Sequence, residues 1–285
     1  MSSTRSKKNK AAARRKRRQR KTIAALVLLV CIGAAVYMAG MALIELNERR
    51  QGVGYYEELI AQLISLPTAA PEPEETPAQS TPKPDTEAEQ QPEPTWRPRP
   101  SALDFNALRK DCPDVVGWIR LEGEWLDYPV VQGGDNEYYL NHLPNGYMNE
   151  AGSIMLDAAN DEFFRDELSI LHGHHMNHGS MFGNLDKYRD AEYFREHSEM
   201  IIYTPTGDYK IELIAAWTLD GMEFGYPTQF GSDEEFAGFI AGAREGSAFV
   251  PDVPVQRGDR LILLSTCAYN FQYARFVVLG RLVPM

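Results

Sequence analysis

The feature that most constrains this chain is an uncharged segment of 23 residues, Thr22–Ile44, made mostly of small and aliphatic side chains. At about 1.5 Å per helical residue, it is long enough to cross the ~30 Å hydrocarbon core of a bilayer. The apolar part of a cleavable signal peptide is usually shorter, about 7–15 residues, so the length favours a retained membrane anchor. The sequence Ala-Gly-Met-Ala, which ends at Ala42, leaves cleavage open as an alternative.

Charge is distributed unevenly on the two sides of this segment. Eleven of the 29 lysines and arginines lie within residues 1–21, which hold no acidic residue, so the net charge of −11 becomes −22 for the rest of the chain. Basic residues beside a spanning segment favour the cytoplasmic side. We therefore expect a single-pass protein of the cell membrane, with residues 1–21 cytoplasmic and the C-terminal part extracellular. A basic tail can also bind nucleic acid, but its position against the apolar run favours an orientation signal, and no nucleic-acid partner is predicted.

Two segments of different composition follow the anchor and together cover residues 45–100. Residues 45–66 mix charged and apolar positions at helical spacing, which predicts a short amphipathic helix just outside the membrane. Residues 67–100 are rich in proline, glutamate, threonine and alanine and have almost no large apolar side chains. Such a composition predicts a disordered stalk, because too little apolar surface can be buried to offset the entropy of ordering.

The folded domain is expected over residues 101–285. Its start, Ser101-Ala-Leu-Asp-Phe-Asn-Ala-Leu, is typical of a capped helix. Short runs of apolar, β-branched and aromatic residues follow, separated by turn residues, at 115–121, 126–131, 153–156, 168–172, 200–203, 209–218, 261–264 and 276–282. This pattern predicts a mainly β domain, either a barrel or a sandwich. Helical interruptions are expected over residues 181–189 and 233–244, the second with Ser232 as its cap and acids in its first turn.

Three places in this domain could carry chemistry. Cys267 follows the buried-strand pattern Leu261-Ile-Leu-Leu-Ser-Thr, which gives its thiol a rigid support, although a lone cysteine there is often only a small buried side chain. Four of the six histidines lie within residues 172–178 at another strand end, which suits a catalytic base, a metal site or a solvated loop. Arg275 enters an apolar strand, where a charge is costly unless it has a function or a partner such as Asp259.

These candidates form one coherent site if the strands that carry Cys267 and Arg275 are antiparallel neighbours. An imidazolium and a guanidinium both favour the thiolate of a cysteine, whose ordinary pKa is about 8.5. The thiolate can attack a peptide carbonyl, the histidine can protonate the leaving amine, and the arginine can donate to the developing oxyanion. A disulfide between Cys267 and Cys112 would silence this chemistry, whereas Cys31 lies inside the apolar run, where it suits packing.

The motifs around these residues resemble those of a known family. His-Gly-His174-His-Met with Gly-Ser-Met-Phe182, Leu-Ser-Thr-Cys267 and Arg275 together look like the signature of sortases, and in detail of class B sortases. The similarity continues, in the expected order, in Cys112-Pro-Asp-Val-Val-Gly-Trp-Ile, Asp127-Tyr-Pro-Val-Val-Gln, Asp135-Asn-Glu-Tyr-Tyr-Leu140 and Gly152-Ser-Ile. It covers residues 101–285, and several independent motifs in order make it specific.

The resemblance implies a closed β-barrel of about eight strands, with an added N-terminal helix and a helix before the cysteine strand. It also implies an extracytoplasmic cysteine transpeptidase of mainly Gram-positive bacteria, which cleaves a C-terminal sorting signal after threonine through a thioacyl enzyme. The acyl group would pass to an amine of a peptidoglycan precursor or a pilin. The implied partners are therefore surface proteins with a sorting motif and these acceptors, and neither a cofactor nor a metal site is implied.

Individual catalytic residues can be carried over by position. The resemblance assigns catalysis to His174, Cys267 and Arg275, and it alone selects His174 over the adjacent His175. Two other functions stay open from the residues themselves. One is a metallohydrolase built on the histidine cluster, and the other is a non-catalytic surface binding domain on a stalk.

Substrate-binding residues are carried over in the same way. Asn136, Leu140 and Ser265 match positions that line the substrate groove in class B sortases, and Tyr226 matches a further position through a looser alignment. Cys112 stands where the family more often has a small polar residue, so the resemblance gives it no role.

Overall fold

The computed structural model describes residues 2–65, 101–221, 225–267 and 273–285, with side chains described from residue 26 to 62 in the first helix and, in the later segments, for every residue except Cys267. Contacts within the chain separate two units, Met1–Gln51 and Gly52–Met285. The stalk predicted over residues 67–100 lies outside the described residues.

The first helix, α1, runs over Ser2–Ser65, so the predicted anchor and the predicted amphipathic helix belong to one continuous helix. Its segment Leu26–Gln62 is long and apolar enough to cross a membrane. The large apolar side chains between Leu26 and Leu46 are exposed, as expected of a surface that faces lipid. By length and composition, α1 is therefore a candidate membrane span.

Strands form a closed barrel in the second unit. Within the described residues they are β1 Val115–Arg120, β2 Asp127–Val131, β3 Ile154–Leu156, β4 Leu168–His172, β5 Glu199–Thr204, β6 Gly207–Asp220, β7 Leu261–Cys267 and β8 Ala274–Pro284. Their order around the barrel is β1-β2-β3-β4-β7-β8-β6-β5. All neighbours are antiparallel except the parallel pairs β2–β3 and β4–β7. Each apolar run of the sequence corresponds to one strand, and the barrel is confirmed over the sandwich.

The cysteine strand β7 is buried on both faces. Ile262 and Leu264 belong to the main core of the barrel, whereas Leu261 and Leu263 belong to a second core. That second core includes apolar side chains of helix α4, Asp233–Glu245. A strand covered on both faces has no solvent-facing positions, which explains why its sequence is an unbroken apolar run.

Helix α4 matches the helix predicted over residues 233–244. The Ser232 side chain accepts a hydrogen bond from the backbone amide of Glu235 at 3.2 Å, which satisfies one of the free amides at the start of the helix. Acidic side chains occupy its first turn, where they interact favourably with the helix dipole. Phe236 and Ile240, four residues apart, are buried on one face, so α4 is held against the barrel by a narrow apolar stripe.

The remaining helices are short: α2 Phe105–Leu108, α3 Ala191–Glu196, and 3₁₀ helices at Tyr138–Leu140 and Leu185–Arg189. The helix predicted over residues 181–189 is therefore wrong in its first half. Met181 has a φ of 55°, which lies in the left-handed region and is incompatible with a right-handed helix. The chain turns at Met181 and becomes helical only at Leu185.

The predicted capped helix near Ser101 is present, and Asp104 is its cap. The Asp104 side chain accepts hydrogen bonds from the amides of Asn106 and Ala107, both at 3.0 Å. Ser101 instead donates from its hydroxyl to the Asp208 carboxylate at 2.5 Å. The start of the domain is thus tied to β6 by a side-chain hydrogen bond.

The end of α1 packs on the barrel domain. Tyr56 is 6% and Leu59 3% exposed, and Leu59 belongs to a cluster with Phe105, Leu108, Cys112, Val115 and Trp118. Full burial of each large apolar side chain contributes about 1.5–3 kcal/mol. The sequence pattern assigned these two residues to a helix outside the domain. In the structure they are part of its core.

Candidate active site

One groove, of about 350 Å³, collects the residues that the sequence singled out. It lies where β4 and β7 end and β8 begins. The sequence-derived side chains that line it are Asn136, Leu140, His174, Tyr226, Ser265 and Arg275. The backbone of Cys267 lies at the same end of β7, and its side chain is outside the described residues.

The strands β7 and β8 are antiparallel neighbours, as the sequence predicted, with Cys267 directly opposite Arg275. The Arg275 guanidinium lines the groove and donates from Nη1 to the Ala274 carbonyl at 3.2 Å. Asp259, which the sequence offered as a surface partner for Arg275, lies instead 3.7 Å from Nη1 of Arg281. Among the described residues, Asp259 is therefore a partner of Arg281 and not of Arg275, whose guanidinium faces the groove.

Gly221, which directly follows β6, leaves room for the side chain of Arg275. A Cβ on Gly221 would lie 2.9 Å from Cγ of Arg275, closer than real side chains approach. The Gly221 amide also donates to the Tyr273 carbonyl at 3.0 Å, which joins the two segments next to Arg275. The aliphatic part of the Arg275 side chain therefore packs directly against the backbone of Gly221.

The two adjacent histidines of the motif have different surroundings. His174 lines the groove, and its Nε2 lies 2.5 Å from the Leu140 carbonyl oxygen. Because a carbonyl only accepts, Nε2 must carry a proton, which leaves Nδ1 as the nitrogen that can exchange one. His175 points elsewhere, with its Nε2 4.0 Å from the Asp186 carboxylate. The geometry thus supports the choice of His174, which the sequence could make only by resemblance.

The glycine between His172 and His174 has a packing reason. A Cβ on Gly173 would lie 2.7 Å from the ring of Phe182, which is fully buried. The Phe182 amide donates to the His174 carbonyl at 3.0 Å. The backbone that carries His174 is therefore held between a buried ring and a hydrogen bond, which limits how far it can move.

The groove is also lined by a polar network that the sequence did not identify. His172 Nε2 is 2.8 Å from the Asp157 carboxylate, and the Asn136 side chain donates to the same carboxylate at 2.9 Å. The side-chain oxygen of Asn136, Oδ1, in turn accepts a hydrogen bond from the Ala158 amide at 2.8 Å. Asn136, predicted to bind substrate, is therefore held in one orientation by its neighbours.

This network favours the ionised form of the Asp157 carboxyl. Burial raises the pKa of Asp157, but the hydrogen bonds from His172, the Ala159 amide and Asn136 outweigh burial and lower the pKa overall. The sequence held one signal of this pair: Asp157 directly follows β3, and His172 ends β4, the strand next to it. In this antiparallel register Asp157 stands opposite Ile170, and His172, two residues further on, is its diagonal cross-strand neighbour.

Tyr226 and Ser265 contact each other across the groove. The Tyr226 hydroxyl is 3.0 Å from the Ser265 hydroxyl, and its ring packs edge-on against His172 with ring centroids 5.3 Å apart. Tyr226 has a φ of 43°, a conformation that a non-glycine residue adopts at a cost of about 1–3 kcal/mol. Backbone strain of this kind is concentrated at functional sites.

The histidine cluster does not form a metal site in the described part of the chain. No three His, Cys, Asp or Glu side chains converge there. The imidazoles have separate neighbours: the Asp157 carboxylate for His172, the Leu140 carbonyl for His174, and the Ser180 hydroxyl for His178. Zinc ligands instead point at one centre. The donor geometry therefore disfavours the metallohydrolase.

Comparisons with known proteins identify similar chains. No family model matches the chain. Sortase B of Listeria monocytogenes is 34% identical over 178 residues, which are 62% of this chain and 72% of that protein. Sortase B of Staphylococcus aureus is 32% identical over 183 residues, 64% of this chain and 75% of that protein.

Solved structures show the same fold. A Staphylococcus aureus sortase B–substrate complex aligns with a TM-score of 0.60 and 30% identity, covering 64% of this chain and 85% of that chain. Sortase B from Bacillus anthracis in complex with AAEK1 aligns with a TM-score of 0.58 and 36% identity, covering 64% and 84%. The closed barrel with its added helices is thus the fold of these enzymes.

Proposed function

Because the chain belongs to the class B sortases, we propose that it is an extracytoplasmic cysteine transpeptidase. In this proposal it cleaves a C-terminal sorting signal after threonine and transfers the protein to an amine of a peptidoglycan precursor or a pilin. One observation carries the proposal. His174 and Arg275 line a single groove at the end of the barrel where the strand of Cys267 ends.

The first half of the reaction uses Cys267 as nucleophile. Its thiolate attacks the carbonyl carbon of the threonine, and a bond forms between sulfur and carbon. The developing oxyanion accepts hydrogen bonds from the Arg275 guanidinium. When the carbon–nitrogen bond breaks, the leaving amine takes a proton from Nδ1 of His174, because Nε2 is engaged with the Leu140 carbonyl.

The second half reverses these steps with a different amine. The acceptor amine gives a proton to His174 and attacks the thioester carbon, and the carbon–sulfur bond breaks to release the Cys267 thiolate. The imidazolium and the guanidinium stabilise that thiolate, so the enzyme returns to its starting state. No cofactor or metal takes part in either half.

Four further residues are assigned to substrate binding in this proposal. The hydroxyl pair of Tyr226 and Ser265 and the oriented amide of Asn136 offer donors and acceptors to an extended peptide. Leu140 is 39% exposed at the rim of the groove and offers apolar contact. A few convergent polar groups in a mostly apolar groove are typical of a specific ligand site.

The proposed topology places the catalytic domain outside the cell. Residues 1–21 form a basic cytoplasmic tail, residues 22–44 the membrane anchor, residues 45–100 the connection, of which Tyr56 and Leu59 pack in the core of the barrel domain, and residues 101–285 the catalytic domain. The exposed apolar side chains of α1 and the eleven basic residues before the anchor support this arrangement. A stalked binding domain without catalysis has no comparable support, because it does not explain why His174, Arg275 and the end of the Cys267 strand lie at one end of the barrel.

The test is peptide cleavage by the full chain in detergent. Fluorescent peptides from a library of sorting motifs are incubated with the protein, with and without amine acceptors, and cleavage and transfer products are separated by mass spectrometry. We expect Cys267→Ala to lower cleavage by about 10³-fold or more, because no other group replaces the nucleophile.

The matched control is Cys112→Ala. Cys112 is a free, fully buried thiol away from the groove, so this variant should keep nearly full cleavage activity. Full activity of Cys267→Ala, or an equal loss in both variants while both remain folded, would contradict the proposed function.

A further inference from the structure

Tyr56 makes a contact that a purely packing role does not require. It lies on α1, belongs to the main core of the barrel domain and is 6% exposed. Its hydroxyl donates to the Gly152 carbonyl at 2.7 Å in a buried setting. An aromatic residue of the N-terminal helix is therefore hydrogen-bonded to a loop almost a hundred residues away in sequence.

The backbone of Gly152 in turn approaches Leu140, whose carbonyl contacts the imidazole of His174. Its φ is +57°, and a Cβ there would lie 2.4 Å from the Leu140 carbonyl oxygen and 2.6 Å from that of Tyr139. The next amide, that of Ser153, donates to the Tyr139 carbonyl at 2.9 Å. Only glycine fits this close approach, so a shift of residue 152 is passed directly to residues 139 and 140.

The Leu140 carbonyl oxygen is the group that accepts from Nε2 of His174 at 2.5 Å. Contacts therefore run without a gap from the Tyr56 hydroxyl through Gly152 and Leu140 to the imidazole. The steps are the hydrogen bond from Tyr56 to Gly152, the approach of the Gly152 backbone to the Leu140 carbonyl, which leaves no room for a Cβ, and the contact of that carbonyl with Nε2 of His174. Such steps resist displacement more strongly than loose side-chain packing.

Through Tyr128, Tyr56 is also connected to the segment that follows His174. Its ring packs edge-on against Tyr128 with centroids 5.1 Å apart. The Tyr128 hydroxyl accepts from the Met181 amide at 3.2 Å, and Met181 precedes Phe182, whose amide is bonded to the His174 carbonyl. Both the imidazole and the backbone of His174 thus have a short path to Tyr56.

We propose that Tyr56 is a positioning residue for His174, which it orients through the Gly152–Leu140 backbone. The proposal rests on the proposed function, because it assumes that His174 transfers the proton. It gives the N-terminal helix a part in catalysis that is separate from membrane anchoring. A misplacement of a catalytic group by 1 Å can lower a rate by about a hundredfold, so a loosened imidazole should be visible in turnover.

The test compares Tyr56→Phe with Tyr55→Phe in the full chain. Both variants keep the ring and lose one hydroxyl from neighbouring positions of one helix. The Tyr55 hydroxyl contacts the Cys112 sulfur at 3.0 Å, away from the loop that holds His174. We expect Tyr56→Phe to lower kcat about tenfold with KM changed less than about twofold, and Tyr55→Phe to leave kcat within about twofold, at a temperature where both are folded.

A second readout does not depend on turnover. The ¹⁵N chemical shift of His174 Nε2 reports its hydrogen bond to Leu140, and it should move in Tyr56→Phe but not in Tyr55→Phe. If neither kcat nor this shift changes in Tyr56→Phe, or if both variants change alike, the positioning role is wrong. If the wild-type chain cleaves no peptide but the shift still moves only in Tyr56→Phe, the proposed function fails and the positioning geometry stands.

Discussion

The two cysteines of the barrel domain lie in regions of opposite character. Cys112 is fully buried in the apolar cluster under α1, and its sulfur is 3.0 Å from the Tyr55 hydroxyl. Cys267 ends β7 directly opposite Arg275, beside a groove that His174 also lines. One region excludes water and charge, and the other gathers cationic and polar groups.

This difference teaches that the surroundings, not the residue type, decide what a thiol can do. Burial raises the pKa of Cys112, and the hydrogen bond from Tyr55 only partly opposes that rise. A thiol with a raised pKa is protonated at neutral pH and is a poor nucleophile. In the proposed function, the imidazolium of His174 and the guanidinium of Arg275 stabilise Cys267 as the thiolate, which is the reactive form.

The sharpest test of the groove region is Arg275→Ala. If the guanidinium donates to the oxyanion, its removal should lower kcat/KM by about 10²–10³-fold, the usual effect of losing one such donor. Arg275→Lys keeps the charge but loses the planar fork, so we expect it to recover only part of the activity. Both are measured in the peptide-cleavage assay with the full chain.

Arg281→Ala is the matched control on the same strand. Arg281 lies 2.6 Å from the Glu212 carboxylate and does not line the groove. Its loss should reduce thermal stability while kcat/KM stays within about threefold, because partly exposed ion pairs contribute about 1 kcal/mol or less. Equal activity losses in the two alanine variants would remove the distinction between the groove and the rest of the barrel.

Alkylation rates test the contrast between the two cysteines. Native full-length protein is treated briefly with iodoacetamide at pH 7, and the modified fraction of each cysteine is read by peptide mass spectrometry. We expect Cys267 to react more than about tenfold faster than Cys112, because Cys112 is fully buried and burial raises the pKa of its thiol, whereas the proposed function gives Cys267 the reactive thiolate form. In denaturant both should react alike, and equal native rates would contradict the contrast.

Much of this architecture could be predicted from the sequence because the information is local. The strands follow apolar runs bounded by turn residues, and α4 follows Ser232 and the acids of its first turn. These two predictions use only neighbours within a few positions along the chain. Asn136, Leu140 and Ser265, which line the groove, were assigned instead by the resemblance to class B sortases.

The remaining features depend on pairs of residues that are distant in sequence. Nothing near Tyr56 indicates that its hydroxyl meets the Gly152 carbonyl, since amphipathic spacing shows which face is buried but not against what. The Asp157–His172 contact likewise requires the register of β3 and β4. The left-handed φ of Met181, which shortens the predicted helix, belongs to a residue that is fully buried in the main core.

The smallest of the expected effects concerns the stability of the groove, tested with Asp157→Asn. The folded-state pKa of Asp157 lies below its ordinary value, so its ionised form stabilises the native state above about pH 4, and that contribution is lost as pH falls through the folded pKa. Asparagine cannot accept the same charge-assisted hydrogen bonds from His172 and Asn136. We expect Asp157→Asn to lower the free energy of unfolding by about 1–3 kcal/mol at pH 7.

The pH dependence separates this network from general destabilisation. In urea unfolding of the full chain, the difference between wild type and Asp157→Asn should be constant between about pH 5 and 7 and should shrink as pH falls below about 4, because the carboxyl is then protonated first in the unfolded chain and, at lower pH, in the folded protein. Asp161→Asn is the control, since Asp161 pairs with Arg165 four residues away on the surface and should cost about 0.5 kcal/mol. A difference for Asp157→Asn that persists unchanged at pH 3 would mean that its carboxylate charge does not stabilise the groove. The groove would then be held, like the cluster around Cys112, by packing alone.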